Sequence, residues 1–210
     1  MNESWTDSEI ACKGVGDQQS SGLEAALIMA TRLHKAQTRK VNDVPYISHL
    51  LGVASLVMED GGNEGEAIAA LLHDAVEDQG GAATRALIYE RFGPQVGAIV
   101  DGCTEPPPVS GESWRQHKQR YLQHVAQASP TVHRVVLADK VHNGRSLLVN
   151  LQQYGPQIWQ YFRGSLPDIL WLQRQQVALF QRLKPGWMAD ELARLVVEMG
   201  REEGGRTNEE

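Results

Sequence analysis

Residues 67–78 read Ala-Ile-Ala-Ala-Leu-Leu-His-Asp-Ala-Val-Glu-Asp, an apolar run that ends abruptly in four ionisable groups. The stretch 67–72 has the composition of a buried helix, and burying His73, Asp74, Glu77 and Asp78 beside it is costly unless each meets a partner. The fold must therefore wrap other polar side chains around this turn. On a helix, residues four apart share a face, which sets His73 over Glu77 and Asp74 over Asp78 in neighbouring columns. One turn can then supply both metal ligands and a carboxylate for proton transfer, and metal binding is the physical reason that best accounts for the cluster. The competing account is an acidic helix end with a hydrogen-bonded core histidine.

The rest of the chain is helical in pattern. Ser21 to Glu24 matches a capping box ahead of an apolar stripe at Ala25, Ile28, Met29 and Leu33. A second helix is expected from Tyr46 to Gly61-Gly62, and a third carries the acidic cluster. Thr84 caps a short helix to Phe92, Gly93-Pro94 breaks it, and Gln95 to about Cys103 forms the next. Ser113 opens a helix to about Ala128, and Ser129-Pro130 starts one that runs to about Gln153. The aromatic stretch from Ile158 to Leu183 reads as core or as a homodimer contact rather than a cofactor box. With no alternating strand pattern and no repeat, the expected fold is all-α: a single-domain helical bundle with additional C-terminal helices. Residues 1–20 are expected to be a mobile segment, 21–199 the folded domain, and 200–210 a disordered tail.

Composition narrows the function. A chain of 210 residues with 41% hydrophobic and 22% charged content is an ordinary soluble domain with no room for a second catalytic unit. It lacks an apolar run of membrane-spanning length, and its polar start does not resemble a signal peptide, so a cytoplasmic address is expected. Cys12 and Cys103 are expected to be reduced thiols. A formal net charge of −6 argues against an extended nucleic-acid partner but permits a small anionic nucleotide held by local cations.

A metal site needs ligands from more than one element. His49, near the start of the second helix, and Asp139, inside the apolar run Val135-Val136-Leu137-Ala138, are the outside candidates. Each alone also fits a blander role, as a capping histidine and a salt-bridged aspartate. Arg39 and Lys40 are the nearest cations upstream of His49. On the Asp139 helix, Asn143 and Ser146 return to the aspartate's face, whereas Arg145 points away and reads as a structural ion-pair partner. His117 and His124 share a face seven residues apart, but their polar neighbours favour exposure over a second metal site.

The order His49, His73-Asp74, Asp139 resembles the HD superfamily of metal-dependent phosphohydrolases. The stretches 34–40, 45–49, 69–78, 91–93 and 137–143 are similar to the hydrolase domain of the RelA/SpoT family and its stand-alone small alarmone hydrolases. The resemblance implies an HD-domain helical bundle holding one Mn²⁺, or another divalent metal, through His49, His73, Asp74 and Asp139. It implies removal of the 3′-pyrophosphate of (p)ppGpp, leaving GDP or GTP and pyrophosphate. Glu77 and Asp78 would take or orient the proton of the attacking water, and Arg39, Lys40, Asn143 and Ser146 would contact the nucleotide, Arg39 by stacking on the base. Leu50, Ala36 and Val41 depart from the residues common in that family. Two alternatives share the scaffold: a nucleotide or NADPH phosphohydrolase with a different base pocket, and a catalytically silent regulatory HD protein.

Overall fold

The computed structural model describes residues 22–206, with side chains through Arg201. The regular elements among them are helical: α1 (Gly22–Leu33), α2 (Ile47–Glu59), α3 (Glu64–Leu72), α4 (Ala75–Asp78), α5 (Gly81–Cys103), α6 (Trp114–Ala126), α7 (Pro130–Tyr154), a 3-10 turn (Pro156–Tyr161), α8 (Leu166–Leu183) and α9 (Trp187–Arg206). The fold is all-α. Among the described residues the one extended pairing is an isolated antiparallel bridge between Thr38 and Pro45. No helix of the described residues is long and apolar enough to cross a membrane.

Helix starts follow side-chain chemistry. Asn63 and Glu66 form a reciprocal capping box on α3, as do Ser113 and Gln116 on α6 and Ser165 and Asp168 on α8. Ser129 caps α7 with Pro130 in the first turn, where a missing N–H costs nothing. Gly93 adopts φ 82° and ψ 172°, which divides α5 at the expected break. The start of α5 differs from expectation: it begins at Gly81, and Thr84 sits inside it, its hydroxyl donating to the Gln79 carbonyl. The backbone of α9 continues past Met199 to Arg206. Ser21, the cap expected for α1, and Cys12 lie outside the described residues.

The acidic turn is not one continuous rod. The helix is interrupted at His73 and Asp74, Asp74 relaxing to φ −94° and ψ −5°, and then resumes as α4. The Asp78 amide still donates to the Asp74 carbonyl at 2.9 Å, so the one-turn relation survives the break.

Helix α7 is central. It packs against α2, α3, α5, α8, α9 and the 3-10 turn, burying Val132, Val135, Val136, Leu137, Ala138 and Val141. Burial on nearly every side explains why its sequence is apolar over more than one stripe. The C-terminal aromatics divide: Phe180 is buried, Trp159 and Phe162 pack on the core edge, and the Arg115 guanidinium lies 5.1 Å above the Trp171 ring.

One buried charge is held from across the bundle. Glu66 is 2% exposed, and Arg134 of α7 reaches both Glu66 and Asp60, with Lys184 also on Asp60. These partners hold the Asp60 carboxyl below its usual range despite the opposing effect of burial. Arg134→Met would strand Glu66 without its cation, and removing one partner of such a buried pair costs about 3–5 kcal/mol. The expected outcome is a lower midpoint in urea denaturation with an unchanged slope.

Candidate metal centre

Two helices and the break between two others bring the site together. Helix α2 supplies His49, the α3–α4 break supplies His73 and Asp74, and α7 supplies Asp139. The donor atoms of His49, His73 and Asp74 lie within 4.8 Å of one another. Asp139 Oδ1 completes the set, 3.1 Å from His49 Nε2 and 3.7 Å from His73 Nε2, while Asp74 Oδ2 lies 3.6 Å and 3.1 Å from the same nitrogens.

The hydrogen bonds behind these donors fix which face is free. His73 Nδ1 lies 2.8 Å from the Ala70 carbonyl, which can only accept, so Nδ1 carries a proton and Nε2 is the nitrogen left facing the carboxylates, where a bound cation would take its lone pair. His49 Nδ1 sits 2.9 Å from His142 Nδ1. Burial, followed by the proximity of His49 and Arg39, pushes the His142 pKa down to about 4, so that ring is neutral and can accept from His49 Nδ1–H. Both Nε2 atoms are buried without a hydrogen-bond partner. Two lone pairs converging on two carboxylates fit a divalent cation, and the backing hydrogen bonds are those that ordinarily orient histidine ligands.

The carboxylates are supported in the same way. Tyr46 donates to Asp74 Oδ2 at 2.6 Å; burial and then the Asp74 charge keep its phenol protonated well beyond its usual range. Lys140 Nζ lies 2.6 Å from Asp139 Oδ2, and Asn143 donates to Asp139 Oδ1. Burial alone would lift Asp74 and Asp139; His73 chiefly offsets it at Asp74 and Lys140 chiefly at Asp139, leaving both below the carboxylate range. Burial lowers His73, and the two aspartates more than reverse it. The centre as a whole attracts positive charge.

Asp74, Asp139 and His73 border a cavity of about 280 Å³ whose walls also include Lys40, Glu77, Lys118, Lys140 and Asn143. A larger apolar groove of about 460 Å³ lies between α8 and α9, but it holds none of the metal donors. Glu77 is exposed at the cavity wall, its Oε2 accepting from the Glu105 amide at 3.2 Å. Desolvation, with Asp74, Glu105 and Asp78 nearby, raises its pKa against that hydrogen bond. Asp78 turns instead toward Gln37, which donates to it at 2.8 Å.

The remaining expected residues are spread around this core. Lys40 reaches the cavity, with its ammonium 5.9 Å from the Phe162 ring. Arg39 stands over the Tyr46 ring at 5.6 Å and donates to Asn143 Oδ1 at 2.7 Å. Neither Arg39 nor Ser146 is in the cavity wall. Arg145 pairs with Glu191 at 3.0 Å and is not in the cavity wall. His117 bonds the Pro106 carbonyl at 2.7 Å and His124 is exposed; among the described residues neither belongs to a metal-type cluster.

Four supporting residues received no role from the sequence. Tyr46, Lys140 and His142 lie within or beside the ligand motifs, and the spacing of His142 three residues after Asp139 was a usable signal. Gln176 of α8 also lines the cavity, at a sequence distance that leaves no local signal.

Comparison with known proteins bears on the family. A family model described as HD domain matches residues 26–167. The chain is 36% identical over 126 residues to a probable GTP pyrophosphokinase of Mycobacterium leprae (strain TN), covering 60% of the chain and 16% of that protein. It is 35% identical over 134 residues to the GTP pyrophosphokinase rsh of Brucella melitensis biotype 1, covering 62% and 18% respectively. The chain thus spans under a fifth of the length of these relatives. A solved structure described as a metazoan ortholog of SpoT that hydrolyzes ppGpp superposes with a TM-score of 0.68 at 23% identity, covering 88% of this chain and 99% of that one, a likeness of fold. The structure of lmo0812 from Listeria monocytogenes EGD-e gives 0.61 at 30% identity, over 70% and 96%. With the histidine–aspartate pair at the α3–α4 break and a family match over most of its length, the chain belongs to the HD-domain family.

Proposed function

We propose that this protein is a Mn²⁺-dependent phosphohydrolase that removes the 3′-pyrophosphate of (p)ppGpp-type nucleotides, giving GDP or GTP and pyrophosphate. The observation that carries the proposal is the convergence of His49, His73, Asp74 and Asp139 on a cavity that also presents Glu77 and Lys40. The relatives named for GTP pyrophosphokinase and the fold match to a ppGpp-hydrolysing protein support the substrate class.

A divalent cation held by those four residues supplies Lewis acidity toward a phosphoryl oxygen and makes a nearby water easier to deprotonate. Glu77 accepts the proton of the attacking water, and desolvation with neighbouring carboxylates raises its pKa and so strengthens it as a base. Asp78, on the same turn and anchored by Gln37, keeps the local field negative on that side. Lys40 and Asn143 hold phosphate oxygens, and Arg39, fixed by Asn143 and Tyr46, adds charge at the edge. Tyr46, Lys140 and His142 orient the ligands without touching substrate.

Incubation of the metal-loaded protein with ppGpp is expected to yield GDP and pyrophosphate in equal amounts by chromatography; orthophosphate as the released product would refute the assignment, and turnover of NADPH alone would redirect it. Glu77→Gln is expected to lower kcat by about 10²–10⁴-fold while manganese content measured by elemental analysis stays at the wild-type level. His142→Ala removes the acceptor behind His49, and loss of such an outer partner is expected to weaken Mn²⁺ affinity by about 10–100-fold in a competition titration.

A further inference from the structure

We infer that Gln176, carried on α8, is a specificity-determining residue that pairs with the edge of the substrate's nucleobase. The inference rests on the nucleotide reading of the cavity given above. Gln176 is 5% exposed, lines the same cavity as Asp74 and Asp139, and makes no side-chain hydrogen bond to any described residue. A primary amide that faces a cavity with no protein partner is satisfied only by solvent, and giving up that solvent costs free energy unless a ligand replaces it. In a cavity that must take a polar ligand, that cost is relieved when the ligand arrives.

The chemistry of the amide narrows what it meets. It presents one acceptor and two donors side by side. A phosphate offers only acceptors and would leave the carbonyl oxygen facing negative charge, and the cavity already has Lys40 on another element for that purpose. A purine edge, with a donor beside an acceptor, satisfies both halves of the amide. Leu172, one helical turn before Gln176 on α8, lines the cavity too. The pair forms a wall with an apolar half for a planar ring and an amide half for its edge. A site built to hydrogen-bond a ligand group discriminates strongly against a ligand that lacks it, so this position separates one base from another.

Binding of GDP, ADP and inorganic pyrophosphate to the manganese-loaded full chain, measured by calorimetry for wild type, Gln176→Met and Gln176→Glu, tests the assignment. Gln176→Met is expected to weaken GDP binding about tenfold, the loss of roughly one net hydrogen bond, with pyrophosphate binding unchanged. Gln176→Glu keeps the shape but offers acceptors only, which suit the N1–H and 2-amino donors of guanine better than the single 6-amino donor of adenine, so ADP should weaken more than GDP. Equal losses for GDP and pyrophosphate would mean a merely structural role and overturn the inference, as would unchanged GDP affinity in both variants or a wild type that binds pyrophosphate but no nucleotide. Selective loss of GDP in a protein that releases no pyrophosphate from ppGpp would uphold the base contact while removing the 3′-pyrophosphatase reading.

Discussion

Asp74 and Asp139 face the same small volume inside a helical bundle, with the lone pairs of His49 and His73 directed into it. Two carboxylates in one desolvated site repel each other and are tolerable only with positive charge between or beside them. The packing of α2, α3 and α7 serves this need. Gly52 on α2 illustrates how closely: a Cβ there would lie 2.2 Å from the His142 ring, so only glycine lets α2 and α7 approach while His142 stays behind His49. The Ala70 carbonyl, Tyr46 and Lys140 back the ligands as a layer, Tyr46 bonding the same Asp74 oxygen that faces the two histidines. Altering that layer shifts the ligands even though none of its members touches the reacting groups.

Much of this was visible in the chain. The acidic cluster at 73–78 stood out because four charges on an apolar helix demand partners, and His49 and Asp139 were recoverable as polar groups inside apolar runs. Helix starts at Ser113 and Ser129 were legible from capping chemistry, and the break at Gly93 from its conformational freedom. Thr84 shows the limit of such signals. Its hydroxyl was an attractive cap, but Gly80, at φ 103°, turns the chain earlier and lets the helix start first. The interruption at His73 and Asp74 was hidden for a related reason: helical periodicity predicts spacing along an element, not whether tertiary contacts pull one turn out of line.

The supporting residues were harder still. Tyr46 and Lys140 have ordinary local contexts, and their roles appear only when α2, the α3–α4 break and α7 meet. Gln176 is set by the docking of α8, which no short-range pattern reports. The electrostatics follow the same division. The chain carries a net charge of −6, and the cavity wall sets Lys40, Lys118 and Lys140 among the carboxylates of Asp74, Glu77, Glu105 and Asp139, so attraction for an anion would depend on a cation held at the centre and not on the whole surface.

The connection between α1 and α2 carries Arg39 and Lys40 and is fastened at several points. The Arg39 amide bonds Val44, the Tyr46 amide bonds Gln37, and the Gln37 side chain ties His34, Asp78 and Gln79 together. A free loop of this kind would lose conformational entropy whenever its cations closed on a ligand. Here that ordering is complete once the domain has folded. The cations therefore meet substrate pre-organised, and their contribution to affinity is not diminished by having to freeze a loop at each encounter.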